Sequence, residues 1–108
     1  MKIYCNREDR YDFERFLGKN VWVKYFYFGK TVYIKFLDWT NREDGENSRI
    51  RYKVIAIQDS KEDALLEIND DKLYHYTRLG TFIQWANVHS RFNIYTDEEI
   101  EEIVERLF

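Results

Sequence analysis

Residues 21–39 read VWVKYFYFGKTVYIKFLDW, a run of β-branched and aromatic side chains broken only at Gly29-Lys30. No other segment restricts the fold as strongly. Such side chains lose χ1 freedom against a helical turn and pack well on a pleated surface, so two strands are expected, Val21–Phe28 and Thr31–Trp39. A two-residue break led by glycine joins such runs as a hairpin. The chain contains no proline to interrupt the ladder.

With Gly29-Lys30 as the loop, Phe28 faces Thr31, and the register carries down to Lys24 opposite Lys35 and Trp22 opposite Leu37. One face then holds Val21, Val23, Tyr25, Tyr27, Val32, Ile34 and Phe36, an ordinary core. The other holds Trp22, Phe26, Phe28, Tyr33, Leu37 and Trp39 around Lys24 and Lys35. Two lysines directly opposite each other are unfavourable, and that much aromatic area in water exceeds what monomers usually leave exposed. Three readings account for the second face. It is covered by the acidic C-terminal helix, with Glu101, Glu102 or Glu105 meeting the ammonium groups of snorkelling lysines. Or it is a protein-docking patch, with aromatic anchors and lysines that select an acidic partner. Or it is a stacking platform for single-stranded nucleic acid, which Arg49 and Arg51 on the next strand would extend. A basic strand edge, as in Arg49, Arg51 and Lys53, also discourages aggregation without any ligand.

Outside the hairpin, a strand is expected over Lys2–Cys5. A short helix is expected over Glu8–Leu17, with Gly18 as a left-handed stop. Arg49–Gln58 alternates as a third strand with Ile50, Tyr52, Val54 and Ala56 on one face. Ala64–Ile68 reads as a short strand, or as helix if Ser60 and Asp63 form a cap. Lys72–Leu79 and Thr81–Ala86 read as further strands, separated at Gly80. Thr96 and Glu99 form a capping box, and Ile100, Ile103, Val104, Leu107 and Phe108 share one face of the helix that follows. The expected fold is α+β, a single domain over 1–108. A curved antiparallel sheet or small open barrel of about five to seven strands carries a short N-terminal helix and an amphipathic C-terminal helix.

The 108 residues carry a net charge of −3, but that charge is polarised. Residues 1–58 hold 12 basic and 8 acidic groups, whereas residues 97–108 hold 1 and 6. A mildly basic body with an acidic tail suits a basic protein partner better than bulk DNA binding. Aromatics make up 19% of the chain. An AT-rich coding sequence and a recognition surface would each raise that share. One cysteine, Cys5, excludes an internal disulfide framework and points to a reducing compartment. No run reaches membrane-spanning length, and the N-terminal stretch is charged rather than signal-like. A cytoplasmic protein is expected.

No catalytic pattern stands out. Cys5 would need His75 or His89 brought to it by the fold, and isolated histidines on a strand or loop are more often structural. Asp70-Asp71 and Glu43-Asp44 lack the alternating ligands of a calcium loop, and four scattered glycines cannot build a phosphate cradle. A non-enzymatic protein without metal or cofactor is expected. In style, this small, aromatic-rich β domain with an acidic tail is similar to phage-borne and mobile-element proteins that block a host enzyme, including anti-CRISPR-like inhibitors of defence nucleases. Its strand pattern also looks like small SH3-like or Sm-like barrels. The first resemblance implies a protein-binding regulator or inhibitor that contacts its target, for example a basic nucleic-acid-binding protein, through Trp22, Tyr33, Trp39 and the acids of the last helix. The alternative is a small single-stranded nucleic-acid-binding domain using Trp22, Phe26, Tyr33, Lys24, Lys35, Arg49 and Arg51. A homo-oligomer is also compatible with the composition.

Overall fold

The computed structural model describes residues 12–27, 29–88 and 94–108, without the side chains of residues 12, 26, 27 and 83–88. Its strands are β1 (Trp22–Tyr27), β2 (Lys30–Thr40), β3 (Arg49–Ala56), β4 (His75–Arg78), β5 (Ala86–Val88) and β6 (Ile94–Tyr95). Its helices are α1 (Lys61–Asn69), α2 (Leu79–Trp85) and α3 (Asp97–Leu107), with 3-10 turns at Asp12–Phe16 and Arg42–Asn47. The fold is α+β, as expected. The sheet is antiparallel and open, in the order β4-β3-β2-β1-β5, with β6 sharing the outer edge of β1 with β5.

The hairpin forms, but its pairing is displaced by two residues. Val23 faces Ile34, Tyr25 faces Val32 and Tyr27 faces Lys30, so Lys30 is paired rather than part of the loop; Phe28, expected opposite Thr31, lies outside the described residues. Gly29 takes φ 74°, a left-handed value that costs glycine nothing. Because side chains alternate with period two, an even slip leaves every residue on its expected face. Only the partners change: Lys24 faces Tyr33, and Lys35 faces Lys53 of β3.

A second departure moves a whole side chain across the sheet. Phe36 faces Tyr52 and Asp38 faces Arg51, so Leu37 is the extra residue of a β-bulge. Beyond it the alternation of β2 inverts, and Trp39 faces Ile50 on the side opposite to the one expected. Its ring meets Phe13 edge-on at 5.3 Å, and its indole N–H donates to Ser48 Oγ at 2.7 Å.

Both faces of the sheet are covered. On one, Phe13, Phe16, Val23, Tyr25, Ile34, Phe36, Ile50, Leu79 and Phe82 pack together beneath the first 3-10 turn and α2. On the other, Trp22, Tyr33 and Ile55 pack against Ala64 and Ile68 of α1 and Ile100 and Val104 of α3. The result is a three-layer arrangement with a core on each side.

Other expectations are corrected. Ala64–Ile68 is helix: Ser60 Oγ accepts the Asp63 N–H at 3.1 Å, and Ala64 and Ile68 are buried one turn apart. Thr81–Trp85 belongs to α2 instead of the sheet, because Leu79 and Phe82, three residues apart, both enter the first core; the sheet resumes only at Ala86, the first residue of β5. The strand expected over Lys72–Leu79 spans only His75–Arg78. The helix expected over Glu8–Leu17 falls partly outside the described residues, and its remainder is the 3-10 turn before Gly18, whose φ is 67°. The strand expected over Lys2–Cys5 lies outside them. The C-terminal helix follows its sequence closely: Thr96 accepts the Glu99 N–H, and the Glu99 carboxylate accepts the Thr96 N–H.

Candidate functional site

Two rings of the aromatic face singled out in the hairpin, Trp22 and Tyr33, are interior. Trp22 is 0% exposed and Tyr33 6%. α1 and α3 lie over both. This corrects the expectation that the two rings present a docking or stacking surface: in this fold neither is available to a partner. Burial pushes the Tyr33 hydroxyl above its usual pKa, with the neighbouring Tyr95 adding to the shift. The Phe26 side chain lies outside the described residues, and Lys24 is half-buried opposite Tyr33. Trp39 belongs to the other core, so the bulge removes it from the proposed cluster.

The covering reading holds in its main point, an acidic terminal helix lying over the lysine side of the sheet. The acid involved is Asp97, not Glu101, Glu102 or Glu105. Asp97 Oδ1 accepts the Trp22 indole N–H at 2.7 Å and pairs with Lys35 Nζ at 3.1 Å, while the ammonium lies 5.7 Å from the centre of the Trp22 ring. Lys53, 4% exposed, solves the same problem differently. Its Nζ donates to the carbonyls of Glu67 and Asp70 at 3.1 and 2.6 Å, where the last turn of α1 leaves carbonyls without helical partners. The opposed Lys35 and Lys53 are therefore each compensated from a helix end.

A hollow beside α1 collects Asp59, Asp63, Glu67 and His75. Two of these carboxylates already complete the sheet. Past Tyr52, β3 has no β4 residue to pair with, and Glu67 Oε1 and Asp59 Oδ2 accept the free N–H groups of Val54 and Ala56, each at 2.9 Å. The other Glu67 oxygen is 2.9 Å from His75 Nε2. These contacts hold a strand edge. Among the described residues no group of three or more His, Cys, Asp or Glu is placed to bind a metal.

Two polar surfaces remain. The first is the outer side of α3, where Glu98, Glu101, Glu102 and Glu105 recur at i, i+3, i+4 and i+7. Glu105 pairs with Lys61 of α1 at 2.7 Å. Among the described residues Glu98, Glu101 and Glu102 have no ion-pair partner. The second is the end of the sheet that α1 and α3 do not reach. There Asp38, Arg51 and Tyr76 lie side by side across β2, β3 and β4, followed by Thr40, Arg49 and Arg78. Arg51 Nε donates to both Asp38 oxygens, at 2.8 and 3.0 Å, and its guanidinium lies 5.0 Å from the Tyr74 ring centre. The Arg51 hydrogen bonds hold the Asp38 carboxyl below its usual pKa; Asp38 first and Tyr74 second keep Arg51 charged. Tyr74 and Tyr76 are 42% and 63% exposed. Arg49 and Arg51 were legible as an alternating basic pair; Arg78, Tyr74 and Tyr76 were missed, because only the pairing of β4 with β3 brings them alongside.

Comparison with protein families, curated proteins and solved structures finds no match for this chain. No helix among the described residues is long and apolar enough to cross a membrane.

Proposed function

We propose that this protein is a non-enzymatic binding module, a regulator or inhibitor that presents the acidic side of α3 to a basic partner. The observation that carries this is the stripe of four glutamates. Like charges one turn apart repel, costing a few tenths of a kcal/mol per pair, and among the described residues only Glu105 is offset by an ion pair. The helix tolerates the stripe because Ile100 and Val104 are buried on its other side and the capping box secures its start. Closely spaced carboxylates on a rigid rod resemble, in charge, the phosphates of a nucleic-acid strand. The fitting partner is therefore the basic groove of a nucleic-acid-handling protein, such as a bacterial defence nuclease confronting a phage.

The test is affinity capture from bacterial extract with the wild-type chain and with the variant Glu98→Lys, Glu101→Lys, Glu102→Lys, whose fold is checked by circular dichroism. Expected is recovery of a nucleic-acid-handling protein by the wild type, release of it by added duplex DNA, and loss of recovery in the variant. Equal recovery by both chains overturns the assignment.

A further inference from the structure

We infer that the bare end of the sheet is a second docking site, independent of α3, which takes an extended acidic peptide segment as an added strand on β4. Three observations converge there. The first is backbone direction. Leu79 N–H donates to the Ser48 carbonyl at 2.8 Å, and the antiparallel pairs run 52 with 75, 51 with 76, 50 with 77 and 49 with 78. Hydrogen-bonded pairs alternate along such a ladder, so His75 and Thr77 bond inward to β3 while the backbone N–H and C=O of Tyr76 and Arg78 point outward. Among the described residues no strand pairs with that outer edge. The remainder of the β3 edge is already occupied by Glu67 and Asp59, so β4 is where the sheet can grow on this side.

The second observation is charge. Arg49 and Arg78 face each other in a non-hydrogen-bonded pair, the type in which side chains approach most closely. Like charges so placed destabilise a sheet unless an anion lies between them. Among the described residues Arg78 bonds only the neutral Asn47 amide, at 3.1 Å, and the Arg49 side chain has no partner. With Arg51 offset by Asp38, the patch keeps two guanidinium groups uncompensated among the described residues, and such groups match carboxylates in bidentate geometry. The third is side-chain type. Tyr76 stands exposed beside Arg51, and Tyr74 lies against its guanidinium. Tyrosine and arginine are the residues that most often anchor protein contacts. An incoming strand would take backbone hydrogen bonds from Tyr76 and Arg78 and set alternate carboxylates against Arg78 and Arg49, the usual mode of strand addition.

The probe is a labelled ten-residue peptide alternating glutamate and threonine, with an alternating lysine-threonine peptide and a ten-nucleotide oligothymidylate as comparisons. Expected is saturable binding of the glutamate peptide alone and slowed amide hydrogen exchange at Tyr76 and Arg78. Affinity should weaken at least tenfold in Arg49→Glu, Arg78→Glu and by a lesser factor in Arg49→Gln, a milder change that guards against misfolding. The α3 triple variant should bind the peptide as the wild type does, which separates this site from the acidic one. Absence of peptide binding, or binding without exchange protection on β4, overturns the inference. So does oligothymidylate binding with the same arginine dependence, which would make the patch a nucleic-acid platform. Concentration-dependent self-association lost in both the arginine and the glutamate variants would instead identify the occupant as a second copy of the chain.

Discussion

Asp97 does the work expected of three glutamates further along its helix. One carboxylate satisfies a fully buried indole N–H and a lysine that is 12% exposed at its side chain. Removing it leaves both donors without that partner. Asp97→Ala should therefore destabilise the fold by about 1–3 kcal/mol, and Asp97→Asn, which keeps an acceptor for Trp22, by less. Urea unfolding of the two variants measures this; an unchanged midpoint in the alanine variant would show that the contact contributes nothing. That an acid of the last helix would meet a hairpin lysine could be argued from charge and spacing. Which acid does so depends on where the helix starts over the sheet, and neither periodicity nor charge encodes that position. Lys53 was still less legible, since its partners are two backbone carbonyls, one in a segment read mainly as strand and the other in the turn after it.

At the scale of elements, legibility followed the number of independent local signals. α3 had a cap, a box and a continuous apolar face, and its described form agrees with them except at Leu107, which is 60% exposed. α1 had only a cap, followed by an apolar run too short to distinguish helix from strand. Ser60→Ala and Thr96→Ala should each cost about 1 kcal/mol by thermal or chemical unfolding, since each removes an acceptor from a free helical N–H. A loss confined to Thr96→Ala would mean that packing alone sustains α1. In the hairpin, one glycine can supply the left-handed residue at either loop position, so the pattern could not decide between two registers that keep the same faces. The bulge at Leu37 was beyond reach for a different reason: alternation arguments assume an uninterrupted ladder, and one unpaired residue reverses everything that follows it.

For the whole molecule, stability against pH is shaped at both ends by groups already described. Asp38 titrates below its ordinary value when folded, so the unfolded chain binds more protons as acid is added. Its contribution is present above the ordinary carboxylate pKa and is lost as pH falls through the folded one. Asp38→Asn should flatten the decline in stability as pH falls below the ordinary carboxylate range, read as urea midpoints; an identical slope would exclude the pair with Arg51 as a contributor. Tyr33 acts with the opposite sign: its pKa is raised above 10.0, so its contribution is intact below that value and disappears as pH rises through the folded one.

The inversion of β2 at Leu37 also bears on why so small a chain is so rich in rings. A single strand that sends Tyr33 to one interior and Trp39 to the other gives the molecule two insides to fill instead of one. Bulky residues then meet a demand for volume that a one-sided sheet of equal length would never make. Among the described residues, most rings go into filling these two interiors.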